Sequence, residues 1–279
     1  MEIIVTGHKG FIGTNISKRL KQLGHSVKTV DGDLRTCELP VADGLMHFAA
    51  NMGGVGFFTS EQFNPILDNM LMDVRVIRHC QKHNMKMFYP SSACAYPLTA
   101  MNMGIELDET LLDSPYEPDQ MYGFEKLFIT KLSEYSDFDL RVGIFHTIYG
   151  VGQEYKGKRA KFIPQICYKF KTQDEIEVWG DGEQTRTFLH IDDAVEMILE
   201  VFFEDYSGPV NISGSKEVKI NDVVKILMGI TEKTNVVYNK NKPTGPTRRA
   251  VDMSKFKHNY KTRERISLFE GIKGVYDSI

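Results

Sequence analysis

In the first half of the chain, apolar runs of strand length alternate with segments of helical periodicity. The strand candidates are Glu2–Thr6, Val27–Asp31, Leu45–Ala50, Met85–Tyr89 and Leu140–Phe145. The helix candidates are Phe11–Leu23 and the regions around Ile66–Lys82 and Met121–Tyr135. Alternation of this kind is typical of βαβ units with right-handed crossovers, which form a parallel sheet covered by helices on both faces. The sequence therefore predicts an α/β fold with a doubly wound parallel sheet.

Composition argues against several classes of partner. The 34 Lys and Arg residues against 37 Asp and Glu residues give a net charge of −3, which favours neither a nucleic acid nor an anionic membrane. No apolar run approaches the roughly 18 residues of a membrane span, and the first residues lead directly into a strand without room for a signal peptide. The 4 cysteines lack a CxxC spacing, so no metal site or disulfide framework is indicated. We expect a reduced protein of the cytoplasm.

The turn between the first strand and the first helix carries glycines at a spacing that suits a dinucleotide. Gly7, Gly10 and Gly13 allow a tight turn, close approach of the backbone to a pyrophosphate, and close packing of helix on sheet. The helix that starts at Phe11 and Ile12 would offer free N–H groups and a partial positive charge to the phosphates.

Asp31 indicates which dinucleotide binds. It ends the second predicted strand, 18 residues after Gly13, where a carboxylate can bind both ribose hydroxyls and would repel a 2′-phosphate. The sequence therefore predicts NAD rather than NADP, bound by a Rossmann-type domain at residues 1–150.

After Gly150 the pattern predicts a smaller, discontinuous C-terminal domain that covers the substrate. A strand at Thr185–Ile191 is expected to return to the large sheet, with Asp192 or Asp193 capping the next helix, so that about 185–208 complete the first domain. The second domain then consists of residues 151–184 and 209–279. Its predicted helices and strands are Phe162–Lys171, Val210–Ser213, Ile220–Ile230, Asn235–Tyr238 and Leu268–Ile279.

Tyr122 and Lys126 are spaced to share one face of a predicted helix. A free tyrosine has a pKa of about 10, and a neighbouring ammonium and an oxidised nicotinamide ring would both lower it. Tyr122 could then accept the proton of a substrate hydroxyl while a hydride leaves the same carbon, with Ser92 hydrogen-bonding the developing carbonyl oxygen. These residues predict the NAD-dependent oxidation of an alcohol.

A thiol close to Ser92 is not needed for an oxidation. Cys94 follows Ser92 by two residues, so its side chain should point to the same side. A lone cysteine is usually a small core residue, but a thiol can also act as an acid or base near neutral pH. Cys94 therefore suggests a second proton transfer, at a carbon that the oxidation has made acidic. The partners that spacing leaves open are Lys156, Lys158, Arg159, Lys161, His146 and His190.

Several longer motifs resemble one enzyme family. They are His47–Gly56, Ser91–Pro97, Tyr122–Lys126, Phe145–Gly150, Tyr155–Lys161 and Trp179–Arg186. Along essentially its whole length the chain resembles the extended short-chain dehydrogenase/reductase superfamily and, within it, the GDP-mannose 3,5-epimerases. The resemblance implies an isomerase that acts on a GDP-linked sugar of manno configuration. It also implies a homodimer formed through the helices around Ile66–Lys82 and Met121–Tyr135.

The resemblance further implies a mechanism and a set of site residues. Tyr122 and NAD would oxidise carbon 4 of the sugar, and the ketone would acidify carbons 3 and 5, where Cys94 and Lys161 match the acid/base pair of the family. The hydride would then return to carbon 4. Lys169 and Arg249 match positions that hold the nucleotide diphosphate. The remaining matches are Ala49, Tyr122 and Lys126 for the cofactor, and Gly54, Val55, Gly56, Ser92, Thr147 and Arg186 for the substrate.

Two features depart from the family pattern. Thr147 stands where the epimerases have an Asn that contacts the sugar. The segment between Asp31 and Leu45 is too short for the strand and helix that the superfamily usually has there, so the adenine side of the cofactor pocket is expected to be more open.

Three other functions share parts of the pattern. The GDP-4-keto-6-deoxymannose epimerase/reductases, of the GDP-fucose synthase type, have a His at the position of Lys161 and use NADPH, so Lys161 and Asp31 both argue against them. Nucleotide-sugar 4-epimerases and dehydratases usually have Thr or Ser in place of Cys94. A non-catalytic NAD-binding sensor, the remote alternative, would not need Tyr122 and Lys126.

Overall fold

A computed structural model gives the fold of residues 1–115, 117–206 and 208–279, and the side chains of residues 55, 58 and 59 are outside this description. The strands are β1 (Glu2–Thr6), β2 (Ser26–Thr29), β3 (Gly44–His47), β4 (Lys86–Ser92), β5 (Leu140–Phe145), β6 (Thr147–Tyr149), β7 (Ile176–Trp179), β8 (Thr185–His190), β9 (Val210–Ile212), β10 (Glu217–Lys219) and β11 (Val236–Asn239). The α-helices are α1 (Phe11–Gln22), α2 (Val55–Ser60), α3 (Phe63–His83), α4 (Leu98–Asn102), α5 (Gln120–Leu132), α6 (Phe162–Thr172), α7 (Ile191–Phe203), α8 (Ile220–Thr231), α9 (Ser254–Asn259) and α10 (Leu268–Ser278). Single 3₁₀ turns cover Ala93–Ala95, Glu109–Asp113 and Ser133–Tyr135.

The large sheet is parallel and has the strand order β2-β1-β3-β4-β5-β9. The chain runs outward from β1 to β2 and then crosses to β3 on the other side, so the strand order reverses between β1 and β3. Ligands of open parallel sheets bind beyond the carboxyl ends of the strands at such a reversal. The predicted α/β fold with a doubly wound sheet is confirmed.

Helices cover both faces of this sheet because each presents one apolar stripe to it. On one face α1 and α7 pack together through residues that include Ile16, Leu20 and Phe202. On the other face α3 and α5 contribute Val76 and Ile129 to a second cluster. The inner strands are buried between these layers, as β5 is at every position, which explains their continuous apolar sequences.

The prediction that Thr185–Ile191 returns to the large sheet is wrong. β8 (Thr185–His190) pairs with β6 and β10 in a separate three-stranded sheet, and the sixth strand of the large sheet is β9, beside β5. Only His146 separates β5 from β6, so the chain leaves the large sheet directly after β5. β8 pairs with β6 rather than with β5. The helix after β8 does pack on the large sheet.

The predicted cap of α7 is also wrong. His190 occupies the N-cap position, and its Nδ1 accepts a hydrogen bond from the backbone N–H of Asp192 at 3.3 Å. The Asp193 carboxylate is buried and accepts instead from the backbone N–H groups of Arg265 and Ile266, at 2.9 and 2.8 Å. It thereby fixes the segment before α10 rather than the start of α7.

A second core lies among α6, α8 and α10, where Cys167, Phe170, Val223, Leu227 and Ile272 pack against one another. The division into two domains stays a prediction, and β9 of the large sheet lies inside the segment assigned to the second one. No helix in residues 1–115, 117–206 and 208–279 has the length and apolar character to cross a membrane.

The segment between β2 and β3 contains no helix or strand, as its short length predicted. Arg75 of α3 fixes it by donating to the carbonyl oxygens of Leu34 at 2.8 Å and Cys37 at 3.0 Å. β2 is therefore an edge strand of the large sheet.

Candidate active site

The turn after β1 leaves no room for side chains. Gly7 has a φ of +65°, in the left-handed region that glycine favours, and a Cβ there would lie 2.5 Å from the carbonyl carbon of Phe48. A Cβ on Gly13 would collide with the carbonyl oxygen of Gly7. α1 begins at Phe11 with Gly10 as its N-cap, so its first N–H groups have no capping side chain and are available to an anion. This cradle fits the pyrophosphate of a dinucleotide.

Asp31 lies two residues beyond β2 and is exposed. Lys9 Nζ donates to its carboxylate at 2.6 Å, and His8 Nε2 lies 3.6 Å away. The hydrogen bond from Lys9 lowers the pKa of Asp31 below its ordinary value, so the side chain is a carboxylate at neutral pH. Ala49 lies beside the glycine turn and donates its backbone N–H to Thr6 Oγ1 at 3.3 Å.

A cavity of about 780 Å³ opens from the glycine turn across the carboxyl ends of the strands, a size within the range of ligand pockets. Residues predicted for cofactor, catalysis and substrate share its lining. They are Gly7, Gly10, Phe11, Ile12, Gly13, Gly54, Gly56, Ser92, Cys94, Tyr122, Lys126, Thr147, Lys161, Lys169, Arg186 and Arg249. Asp31 and Ala49 lie outside this lining, and the side chain of Val55 lies outside the described residues.

Tyr122 and Lys126 lie one helical turn apart on α5, with Lys126 Nζ 5.7 Å from the centre of the Tyr122 ring. Ser92, at the end of β4, hydrogen-bonds Tyr122. Burial raises the pKa of Tyr122 above its usual value, and the opposing effects of Lys126 and Ser92 do not compensate. Lys126 acts in the predicted direction, but the phenol is only 8% exposed, so the desolvation of a phenolate outweighs the nearby ammonium.

Lys126 is surrounded by acceptors on the side away from the cavity. Its Nζ donates to Tyr89 Oη at 2.8 Å, and lies 2.9 Å from Glu125 Oε1 and 4.0 Å from Asp73 Oδ2. Burial alone would lower the pKa of Lys126, but these neighbours raise it. The side chain is therefore an ammonium held in a fixed position.

Cys94 lies in the 3₁₀ turn that follows β4, and its sulfur contacts Arg249. The strand ends at Ser92, so the strand alternation that was expected to set the direction of the Cys94 side chain does not apply. The turn brings the backbone N–H of Cys94 to within 3.2 Å of Ser92 Oγ. Both side chains nevertheless line the cavity, as predicted. Arg249 Nη2 lies 3.4 Å from Cys94 Sγ and also donates to the Asp119 carboxylate. The guanidinium therefore supplies a hydrogen-bond donor to the sulfur.

Asp119 is a site residue that the sequence analysis missed. It is the N-cap residue of α5, and its backbone N–H donates to the carbonyl oxygen of Cys94 at 2.9 Å. Its place just before Tyr122 was a signal for a helix start. No local pattern indicates its ion pair with Arg249, which lies 130 residues further along the chain.

Lys161 is the N-cap residue of α6, is exposed, and lines the cavity. Desolvation by the surrounding protein lowers the pKa of its ammonium, against an opposing effect of Cys94 and with a smaller contribution from Arg249. Lys161 and Cys94 are therefore close enough to interact electrostatically across the cavity.

The other partners that spacing left open for Cys94 lie in different places. Lys158 and His146 also line the cavity, Arg159 donates to oxygens of the 51–52 segment at 2.7 and 2.8 Å, Lys156 lies over two tyrosine rings, and His190 caps α7.

His146 is held as one neutral tautomer. Asn211 Nδ2 donates to the carbonyl oxygens of Leu107 and Asp252 at 3.0 and 3.1 Å, which leaves Asn211 Oδ1 to accept from His146 Nε2 at 3.0 Å. Nε2 therefore carries the hydrogen. Burial lowers the pKa of His146 to about 4, with Arg249 adding to the effect and Asn211 opposing it.

The remaining predicted cations are held in the wall of the cavity. Lys169 Nζ donates to the carbonyl oxygen of Glu177 at 2.7 Å. The Arg186 guanidinium donates to the carbonyl oxygens of Thr244 and Pro246, each at 2.9 Å, and burial lowers its pKa to about 9. Thr147 begins β6 and faces the same cavity.

Comparisons with known proteins identify the family of this chain. Residues 3–213 match the NAD dependent epimerase/dehydratase family. The chain belongs to this family. It is 33% identical to GDP-mannose 3,5-epimerase of Arabidopsis thaliana, with 99% of this chain and 81% of the relative covered. It is 24% identical to GDP-L-fucose synthase of Azorhizobium caulinodans, with 99% and 95% covered.

Solved structures of the same fold include TunA, an NAD dependent NDP-hexosamine 5,6-dehydratase, with a TM-score of 0.87 at 21% identity, covering 100% of this chain and 97% of that one. MoeE5 in complex with UDP-glucose and NAD has a TM-score of 0.84 at 24% identity, covering 100% and 98%. Membership in the family confirms three predictions: the extended short-chain dehydrogenase/reductase superfamily, an enzyme, and NAD as the cofactor. The predicted activity is confirmed at the level of nucleotide-sugar epimerases and dehydratases.

Proposed function

We propose that this protein is an NAD-dependent epimerase of a GDP-mannose-like nucleotide sugar, which it oxidises transiently at carbon 4 and inverts at carbon 3, carbon 5 or both. The observation that carries the proposal is that two sets of proton-transfer groups line one cavity. Tyr122, Ser92 and Lys126 form the first set, and Cys94 and Lys161 form the second. The similarity to GDP-mannose 3,5-epimerase supports the choice of sugar nucleotide.

In the first step Tyr122 would accept the proton of the hydroxyl on carbon 4 as that carbon loses its hydride, and Ser92 would donate to the forming carbonyl oxygen. The glycine turn would hold NAD, which would supply the hydride acceptor for this oxidation, and Lys126 together with the positive nicotinamide ring would favour the Tyr122 phenolate. Tyr122 then gives the same proton back when carbon 4 is reduced. The oxidation and the later reduction together leave the oxidation state of the sugar unchanged.

Between these two steps the carbonyl on carbon 4 acidifies the C–H bonds at carbons 3 and 5. One of Cys94 and Lys161 would remove a proton from one face of the sugar, and the other would deliver a proton to the opposite face, which inverts the centre. The lowered pKa of Lys161 supports this role, since an acid/base group works best with a pKa near the working pH.

Positive side chains around the same cavity support a diphosphate-linked substrate. Lys169, Arg186 and Arg249 all line it, and guanidinium and ammonium groups suit phosphate oxygens. Arg249 also contacts Cys94 Sγ, so a diphosphate held there would place the attached sugar beside the thiol.

The test is to incubate the protein, shown to contain NAD, with GDP-mannose in heavy water and to follow carbons 3 and 5 by proton NMR. We expect deuterium at one or both carbons together with new epimers. Tyr122→Phe should abolish exchange and epimerisation, whereas Cys94→Ser should stall epimerisation and leave hydride transfer intact. Wild-type turnover by Cys94→Ser would remove the proposed role of the thiol. Turnover of a 4-keto-6-deoxy sugar with consumption of NADPH would favour the GDP-fucose synthase type instead.

We also propose that the enzyme is a homodimer through α3 and α5. These neighbouring helices each leave an apolar stripe exposed, although their other faces pack on the sheet. The exposed residues are Phe63, Leu67, Leu71 and Val74 on α3 and Met121, Phe124, Phe128 and Leu132 on α5. Contiguous exposed apolar patches often mark protein–protein interfaces. Phe128→Glu should convert a dimer to a monomer by light scattering, and an unchanged mass would contradict this interface.

A further inference from the structure

Behind the cavity, five buried side chains from five elements form one chain of hydrogen bonds. Lys126 Nζ donates to Tyr89 Oη at 2.8 Å, and Tyr89 Oη donates to Asp73 Oδ2 at 2.7 Å. His47 Nε2 lies 3.0 Å from Asp73 Oδ1, and His47 Nδ1 lies 2.7 Å from Thr6 Oγ1. None of the five is more than 3% exposed. The proposed reaction assigns a role to Lys126 and leaves the other four without one.

The direction of each hydrogen bond follows from the chemistry of the groups. An ammonium donates and does not accept, so Tyr89 Oη accepts from Lys126 and uses its own hydrogen on Asp73. A carboxylate accepts and does not donate, so His47 Nε2 carries a hydrogen toward Asp73. Donors therefore converge on Asp73 from both sides. Burial alone would raise the pKa of Asp73, but Lys126, His47 and Tyr89 lower it, so the centre of the chain is an anion.

We propose that Asp73 is a positioning residue for the reaction, which fixes the Lys126 ammonium through Tyr89 and the cofactor turn through His47. The proposal rests on the proposed function. At the other end of this chain of hydrogen bonds, His47 hydrogen-bonds Thr6 Oγ1, which also accepts a hydrogen bond from the backbone N–H of Ala49. One carboxylate thus holds both the lysine that acts on Tyr122 and the backbone beside the dinucleotide.

The charge of Lys126 depends on groups from three elements. Tyr89 faces it from β4, Asp73 from α3, and Glu125 and Tyr122 from α5 itself. Replacing Asp73 by a neutral residue removes one of the two carboxylates, so Lys126 gives up its proton at a lower pH. Because the ammonium is what favours the Tyr122 phenolate, activity should then decline at a lower pH on the alkaline side.

The decisive variants are Asp73→Asn, Tyr89→Phe and the double variant. Asparagine has one acceptor where aspartate has two, so it cannot accept from both His47 and Tyr89. We expect kcat to fall about 10- to 100-fold, the loss of a hydrogen bond to a charged group, with little change in KM. The alkaline limb of the pH profile should move to lower pH. If Asp73 acts on Lys126 through Tyr89, the double variant should be no slower than Asp73→Asn alone.

A matched control is Asp193→Asn, which alters an equally buried carboxylate that contacts Arg265 and Ile266 far from Lys126 in the sequence. It should reduce stability and leave the alkaline limb in place. An alkaline limb unchanged in Asp73→Asn would overturn the proposal, even with a lower kcat. If Asp73→Asn does not fold, Tyr89→Phe carries the test, because it removes the hydroxyl that joins Asp73 to Lys126 by hydrogen bonds and leaves only their 4.0 Å ion pair.

A measurement without substrate separates this proposal from the proposed function. In protein labelled with ¹⁵N-lysine, the Lys126 ammonium can be titrated by NMR in the wild type and in both single variants. A titration shifted to lower pH supports the role of Asp73, and one that is unchanged overturns it, whichever sugar the enzyme uses. Failure of the proposed function would instead appear as wild-type protein with NAD that neither exchanges nor epimerises GDP-mannose.

Discussion

His146 should make the stability of the protein depend on pH in a way that can be measured. Its pKa is about 4 in the folded protein, against about 6.5 for a histidine in an unfolded chain. Between these pH values the unfolded chain binds a proton that the native state does not, so the free energy of unfolding falls as the pH falls. The loss begins near pH 6.5 and is complete near pH 4. At about 1.36 kcal/mol per pH unit, it amounts to about 3 kcal/mol.

The perturbation that isolates this effect is His146→Gln, since a glutamine amide can still donate to Asn211 Oδ1 and does not titrate. Urea unfolding of both proteins between pH 8 and pH 4.5 gives the free energy of unfolding at each pH. We expect the wild type to lose about 2 to 3 kcal/mol more than the variant over this range. Above pH 7.5 the two curves should run parallel, which serves as the internal control.

Curves that stay parallel down to pH 4.5 would contradict this prediction. That result would mean that His146 takes up its proton in the folded protein without difficulty, despite its burial and the nearby Arg249.

Three further predictions concern separate parts of the molecule. Gly13→Ala should reduce the NAD bound after purification to less than about a tenth, because its Cβ would collide with the Gly7 carbonyl oxygen; normal NAD absorbance would contradict the cradle. Arg249→Gln should slow deuterium exchange about tenfold or more, because Cys94 Sγ loses a charged donor and Asp119 loses its ion pair; an unchanged exchange rate would exclude Arg249 from the acid/base step. Ser267→Ala should cost about 1 kcal/mol in thermal unfolding with unchanged turnover, because it removes the capping box of α10, and an unaltered melting temperature would show that this cap contributes nothing.

The parts of the fold that could be predicted are those with a strong local pattern. β1 and β5 have the predicted bounds because both are apolar runs buried between helices. The assignment of β8 to the large sheet failed because pairing is decided by distant partners. The strand that does complete the sheet, Val210–Ile212, was predicted as a strand at Val210–Ser213 but assigned to the second domain, because three residues give no indication of their pairing partner.

The site divides in the same way. Compact sequence motifs contain the glycine turn, Tyr122, Lys126, Cys94 and Lys161. In the structure all of them line one cavity. The contacts of Asp119 and Asp73 join segments far apart in the chain and leave no local trace in sequence. The pKa of Tyr122 could not be predicted either, because the spacing to Lys126 is visible in the sequence whereas the depth of burial is not.

The position of β9 has a consequence for how the protein is made. β5 pairs with β4 on one side and with β9 on the other, and residues 146–209, 64 in number, separate β5 from β9. At synthesis rates of about 5 to 20 residues per second, these residues take about 3 to 13 s to emerge. During that interval the nascent sheet carries an unpaired parallel edge of buried-type sequence, which is a template for association with other chains. The exposed edge of β5 is therefore covered only after β9 has been synthesised.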